Sequence, residues 1–507
     1  MEYDCIVIGA GVGGLIAGLK LSQENKRILL LEAQPVPGGF ATTFKRNGFI
    51  FESALHCVDA LGPDGEIREF LKEHNIDKTL DFSELNDFAR IIYPGHDFVV
   101  NFKEEDLIDY FKKTFPDESK NIDRLFHAMG RFLEQFDRYR ESNLPSWLEF
   151  ILLIFFCPSL IGISMLTAQQ FIEKYTKDKK LIAIFTDIWR FIGLPPSRLS
   201  ALYFLIVLRG YYCEPTAYIK GGFSELFAAI VSKIRENGSE VRFNARVDKI
   251  ITHKGKRVKS VITAKGEEFY TKAIISNANA IDSLTNLVDN DKIKADYLRK
   301  LAALEKSISA FQVYLGLKVP AKSLGMSHQI LSINTTYNHD ENYNYCFSQD
   351  YDNCSLEIVD HSQIDSSLVP QGKGSLLIMI FDLYAHWKDL TQEEYKLRKQ
   401  EVADKLIERA EKYLPGLSKN IEVIEAATPL TMQRFGLSPE GAIYGFTQTV
   451  KQSGINRLSQ KTAVGGLFLT GAWTRPGHGV HGCFVSGTEA ADLALDYLKK
   501  AAAYRVK

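Results

Sequence analysis

Near its start the chain runs from an apolar stretch, Cys5-Ile6-Val7-Ile8, straight into Gly9-Ala10-Gly11-Val12-Gly13-Gly14, and Glu32 follows at the tip of a second apolar run, Arg27 to Leu31. Few folds satisfy that order. Gly9 permits a tight turn, Gly11 lets the backbone approach a diphosphate, and Gly14 brings the next helix against the sheet. Amides opening that helix face the phosphates. Glu32 is spaced to accept hydrogen bonds from a ribose hydroxyl, and an acid there disfavours a 2'-phosphate. Strand, glycine turn, a helix around Ala17-Gly18-Leu19, second strand and acid fall within about 30 residues, which makes a dinucleotide-binding βαβ unit.

At 507 residues the chain is too long for one compact core. Its 61 basic and 62 acidic residues leave no broad field to attract nucleic acid. The seven cysteines (Cys5, Cys57, Cys157, Cys213, Cys346, Cys354, Cys483) include no CxxC pair and read as reduced thiols in a cytoplasmic protein, and no metal site is expected. A first strand that begins by residue 3 leaves no room for a cleavable leader.

The nucleotide fold is expected to be discontinuous. A meander is predicted from Glu240-Val241-Arg242-Phe243 through Lys249-Ile250-Ile251 to Val258–Thr263. Ala273-Ile274-Ile275-Ser276-Asn277 reads as a strand returning to the cofactor. Gly466-Leu467-Phe468-Leu469-Thr470-Gly471 reads as another, followed by a helix from about Val485 to Lys500. The expected division assigns 1–85, 218–299 and 428–507 to the nucleotide domain, and 86–217 with 300–427 to a substrate domain. In the latter, Thr391-Gln392-Glu393-Glu394 has the capping-box arrangement and opens a helix that Pro415-Gly416 stops.

Trp147 to Leu166 is almost continuously apolar and approaches a membrane span in length. Pro158 and Glu149 oppose a span. Arg138 and Arg140 precede the stretch and Lys174, Lys177, Lys179 and Lys180 follow it, as at a membrane interface. A peripheral or tunnel-mouth element, a buried helix pair and a true span all remain open.

Four separated motifs coincide: Gly9 to Gly14 with Glu32; Pro37-Gly38-Gly39-Phe40-Ala41-Thr42-Thr43 leading into Gly48-Phe49-Ile50-Phe51-Glu52; Tyr218-Ile219-Lys220-Gly221-Gly222-Phe223-Ser224-Glu225-Leu226; and Gly466 through Gly471-Ala472 and Pro476-Gly477-His478-Gly479-Val480-His481-Gly482 to Ser486-Gly487. Together they resemble the flavoprotein family of carotenoid desaturases, carotenoid isomerases and retinol saturases. Thr428-Pro429, Arg434-Phe435 and Gly441-Ala442-Ile443-Tyr444-Gly445 extend the resemblance. It implies an α/β fold: a Rossmann-like FAD-binding domain of the glutathione-reductase/amine-oxidase type with an inserted α+β substrate domain. It also implies FAD, with Gly9, Gly11, Gly14, Glu32, Gly38 and Gly39 at the ADP and diphosphate, and Gly471, Ala472 and Val480 at the ribityl and ring. Phe40 stands where many members carry a basic residue, a contact left to Lys45 or Arg46. Gly471-Ala472 replaces the wider superfamily's Gly-Asp, and Leu55-His56 leans towards the retinol-saturase and isomerase branch.

The implied activity is oxidoreduction at CH–CH or C=C bonds of a long apolar polyene, the protein binding and orienting the substrate while the flavin exchanges hydride. His56, Arg475, His478 and His481 are brought towards the flavin by these motifs. Histidine exchanges protons near neutrality, and Arg475 offers charge to a reduced flavin. Redox-neutral isomerisation, amine oxidation and a non-catalytic FAD scaffold are the alternatives. The expected partners are a lipophilic small molecule and a peripheral contact with the cytoplasmic membrane face.

Overall fold

In the computed structural model, residues 2–85, 87–101, 104–141, 158–212 and 216–505 are described. The first strand, β1 (Glu2–Ile8), is buried along Cys5, Ile6, Val7 and Ile8. It leads through the glycine turn into the helix α1 (Val12–Gln23), and β2 (Ile28–Leu31) returns parallel to β1 with Cys5 opposite Ile28 and Ile8 opposite Leu31. Both strands are apolar on both faces, the pattern of a parallel sheet covered by helices on each side.

Seven strands build this first sheet. Glu240–Arg242 pairs parallel with β2, and Glu268–Ser276 pairs parallel with the other edge of β1. On its edge away from β1, the nine-residue strand Glu268–Ser276 serves two partners. Its first half pairs antiparallel with Arg257–Thr263, which in turn pairs with Val247–His253, and its last three residues pair with Leu467–Leu469. The helix Val480–Arg505 then packs on α1. Gly487 permits this approach, since a Cβ there would stand 2.6 Å from the Gly13 carbonyl oxygen; within the turn, a Cβ on Gly14 would stand 2.0 Å from the Gly9 carbonyl oxygen. The whole is an α/β Rossmann-like nucleotide fold.

A second seven-stranded sheet runs in the order Ile421–Ala427, Ser309–Leu317, Gly374–Asp382, Leu356–Val359, Ile330–Ile333, Asp87–Tyr93 and His96–Asn101. All its pairings are antiparallel except Ile330–Ile333 with Asp87–Tyr93. Behind it lies the helix Gln392–Glu411, whose Thr391 side chain accepts from the Glu394 amide in a complete capping box. Helices such as Ser119–Glu141, Pro158–Ser164 and Ala201–Tyr212 stand against the main core.

Of the long apolar segment, residues 147–157 lie outside the described residues. The part that follows forms the short helix Pro158–Ser164, with Leu160 and Ile163 buried and Ile161 and Met165 exposed. Among the described residues no helix is long and apolar enough to cross a membrane.

Candidate active site

The α1 N-terminus carries no side-chain cap on Gly11, so the amides that open the helix are left for an anion. The second glycine pair closes on this turn. Gly38 N–H donates to the Ala10 carbonyl at 2.8 Å, and Gly38 and Gly39 take φ of +112° and +61°, values open to glycine at little cost. Asn277, which ends Glu268–Ser276, wedges its side chain between the turn and the C-terminal motif: its amide nitrogen is 2.6 Å from where a Gly11 Cβ would be, and its amide oxygen 2.5 Å from a Gly471 Cβ.

Glu32 is buried. Its Oε2 accepts the Ala10 amide at 2.6 Å and its Oε1 the Gln34 amide at 2.7 Å, so the carboxylate braces the turn itself. Each oxygen keeps a second lone pair for a hydroxyl. Burial pushes its pKa up while the Gln34 and Ala10 amides pull it back. An amide-lined helix end, a turn without side chains and a buried acid together suit the ADP half of a dinucleotide.

At the other end, Gly471 takes φ of +91° and donates its N–H to Ser486 Oγ at 3.1 Å. The Ala472 carbonyl is claimed by Arg457, whose guanidinium is 3% exposed and donates to the backbone oxygens of Thr474, Phe446 and Ala472 at 2.8, 3.1 and 2.6 Å. Among the described residues no carboxylate lies within ion-pair distance of Arg457. Burial lowers its pKa to about 10. Arg475, expected to supply the cation, spends its side chain on the carbonyls of Ile455 and Arg457. Arg46 is paired with Glu425 at 3.0 Å, and the Phe40 ring lines the cavity described next.

That cavity has a volume of about 1050 Å³ and is mostly apolar. It gathers residues 53–59 from beside the second glycine motif and residues 475–476, 478–482 and Val485 from the last one. Ala310, Gln312 and Met379 of the second sheet join them, with side chains from the helices Pro158–Ser164 and Ala201–Tyr212. All four predicted chemistry-bearing residues, His56, Arg475, His478 and His481, line it, as does Val480. The predicted ADP-side residues Gly9, Gly11, Gly14, Glu32, Gly38 and Gly39, and also Gly471 and Ala472, are not among its lining residues; they form the adjoining turns.

The three histidines occupy different surroundings. His478 is packed between Tyr444 and Tyr203, at ring-centroid separations of 4.4 and 5.3 Å, and burial, aided by the Arg457 charge, pushes its pKa down to about 3. It is a neutral ring at physiological pH. His481 bridges Asp59 and Glu66, at 3.0 Å from Nδ1 and 3.2 Å from Nε2. His56 meets Glu357 with Nε2 3.1 Å from the carboxylate, while its buried Nδ1 has no hydrogen-bond partner among the described residues. Arg457, Glu357 and the bracing role of Asn277 escaped the sequence reading. Arg457 and Glu357 sit in stretches without repeated spacing, so no local signal marks them.

A parallel sheet with its glycine turn, a buried acid, a second glycine pair and a ring-end motif beside an apolar cavity define a flavoprotein. The chain belongs to the flavin containing amine oxidoreductase family, whose pattern matches residues 12–495. It is an FAD-dependent oxidoreductase. It is 28% identical to a chloroplastic prolycopene isomerase of Arabidopsis thaliana, over 97% of this chain and 84% of that protein, and 24% identical to an all-trans-retinol 13,14-reductase of Danio rerio, over 93% and 82%. The fold is similar to that of cyclohexylamine oxidase from Brevibacterium oxydans, with a TM-score of 0.61, 13% identity, and coverage of 98% of this chain and 100% of that one.

Proposed function

We propose that this protein carries out FAD-dependent redox chemistry at the C=C or CH–CH bonds of a long, conjugated, apolar molecule of the carotenoid or retinoid kind. The observation that carries the reading is the cavity: about 1050 Å³ of mostly apolar space that reaches from residues 53–59 and 475–482 to the apolar helices. Carotenoid and retinoid relatives aligned over nearly the whole chain support it.

FAD, when bound, supplies the hydride exchange. The chain's own residues hold and orient. The turn Gly9–Gly14, Glu32 and Gly38-Gly39 would hold the ADP half, and Gly471, Ala472 and Val480 the ring end. Phe40, Phe191 and Tyr444 present flat apolar faces along the cavity, suited to a planar polyene, and exclude water from it.

The cavity opens beside Ile161 and Met165, and Met165 is 72% exposed. With Lys174, Lys177, Lys179 and Lys180 close by in the chain, this rim forms a peripheral contact with an anionic membrane face on the cytoplasmic side, from which a water-insoluble substrate enters.

Redox-neutral cis/trans isomerisation is the second reading, favoured by the prolycopene isomerase relative. Anaerobic incubation of the FAD-loaded protein with a polyene, followed by mass spectrometry of the product, separates the two. A change of two hydrogens supports the redox reading. Unchanged mass with altered geometry supports isomerisation, and an untouched polyene defeats both.

A further inference from the structure

Below the cavity, four charged or titratable side chains are buried in a row. His56 Nε2 lies 3.1 Å from Glu357 Oε1, Glu357 Oε2 lies 3.2 Å from Arg190 Nη1, and Arg190 Nη2 lies 2.5 Å from Asp187 Oδ2. All four are less than 9% exposed. The row is anchored at its far end, where Asp187 Oδ1 accepts from the Tyr93 hydroxyl at 2.6 Å and from Asn334 Nδ2 at 3.0 Å. It is anchored at its near end too: Gln329 donates to the His56 carbonyl at 2.7 Å, and the His361 ring bonds the Leu55 carbonyl at 2.8 Å.

Burying three ions beside a histidine is expensive unless each is paired, and removing one partner leaves an uncompensated charge. Two carboxylates face one guanidinium here. Glu357 is ionised: burial acts against it, but the His56 contact and the Arg190 charge hold its carboxyl below the usual range. The other ring nitrogen, Nδ1, is buried and has no hydrogen-bond partner among the described residues, and His56 lines the cavity. An imidazole that lines a substrate cavity, with a carboxylate 3.1 Å from one of its nitrogens, has the makings of a general acid or base.

We propose that His56 is the group that exchanges a proton with the substrate, with Glu357, Arg190 and Asp187 as positioning residues that fix its ring. The proposal rests on the polyene reading above. In the saturating direction the π bond would break, one carbon taking the hydride that reduced FAD would supply and its neighbour taking the proton from the His56 ring. Two C–H bonds would form, the two electrons would come from the reduced cofactor, and water would reprotonate the neutral ring. Desaturation would be the reverse, with the neutral ring accepting the proton. The other histidines are unsuited to this. His478 has no carboxylate on its ring, and His481 has both nitrogens engaged.

The test compares wild type with His56→Ala, His56→Gln and Glu357→Gln, all loaded with FAD. Flavin content and the absorption shift of a bound polyene should match wild type in each variant. Turnover should fall about 100-fold or more in His56→Ala and His56→Gln, and added imidazole should restore part of it in His56→Ala. Independently of turnover, the 15N histidine spectrum should contain one signal, absent from His56→Gln, that moves in Glu357→Gln. Wild type that turns over no polyene defeats the functional reading and the proton role together. Polyene turnover in His56→Gln within about threefold of wild type, or a His56 signal unmoved in Glu357→Gln, overturns this proposal alone.

Discussion

The Arg457 guanidinium donates to the Ala472 carbonyl at 2.6 Å, placing a fixed cation, unmatched by any carboxylate within reach among the described residues, under the loop that follows Gly471. A positive charge at that end favours the reduced, more negative flavin. Arg457→Gln should therefore make the midpoint potential of the bound cofactor more negative, with Arg457→Lys in between, as read by dye-coupled reduction. Loss of the backbone contacts should also destabilise the fold by about 2–4 kcal/mol in a denaturant melt. An unchanged potential in a folded Arg457→Gln protein would show that the charge serves the loops alone.

Gly11 is closed on one side by Asn277, whose amide nitrogen would sit 2.6 Å from an added Cβ. Gly11→Val should expel FAD while leaving most of the secondary structure, because the obstruction is confined to the turn. The flavin absorbance of the purified protein, and of protein reconstituted with excess cofactor, measures it beside far-ultraviolet circular dichroism. Full flavin occupancy would place the diphosphate elsewhere.

Glu52 is a buried carboxyl whose Oε1 accepts the Phe223 amide at 2.9 Å and the Tyr218 hydroxyl at 2.8 Å, and whose Oε2 has no partner among the described residues. Burial pushes its pKa up to about 8 from 4.5, the two hydrogen bonds opposing. The folded state therefore holds this proton where the unfolded chain has released it, and its contribution to stability falls as pH rises from about 4.5 to about 8. The change is of order 5 kcal/mol across that window. Glu52→Gln keeps an acceptor for both donors and cannot ionise, so the difference in unfolding free energy between variant and wild type should grow with pH. A difference that stays flat would mean that Glu52 ionises freely in the native state.

The rim of the cavity offers a direct test of membrane contact. Ile161 and Met165 are exposed, so serine at both positions should cost the fold little, yet should remove about 2–4 kcal/mol of burial in lipid. Sedimentation with anionic vesicles should drop at least tenfold with an unchanged melting temperature. Undiminished sedimentation would move the contact to another surface.

Local chemistry made the nucleotide unit legible. Gly9 to Gly14, Glu32 and the run of strands from Val247 to Ser276 announce themselves through turn geometry and periodicity over a few residues. The capping box at Thr391 did so as well. What stayed hidden depends on distant pairings. Glu357 is a lone acid in a buried strand, and only the register of Leu356–Val359 against Gly374–Asp382 and the helical turn at Asp187–Phe191 bring Arg190 and His56 to it. Arg475 carries the more conspicuous context, between Thr474 and Pro476, yet Arg457 is the cation enclosed by the loops. Burial separates the two, and burial is a property of the whole packing.

The close approach of Gly13 to Gly487 makes the glycine turn depend on a helix far along the chain. Until Val480–Arg505 has docked, the surface of α1 stays uncovered and the turn lacks its support. Cofactor capture is therefore tied to a long-range docking step and not to the βαβ unit alone, and shortening Val480–Arg505 should leave a protein that keeps its second sheet but carries no colour.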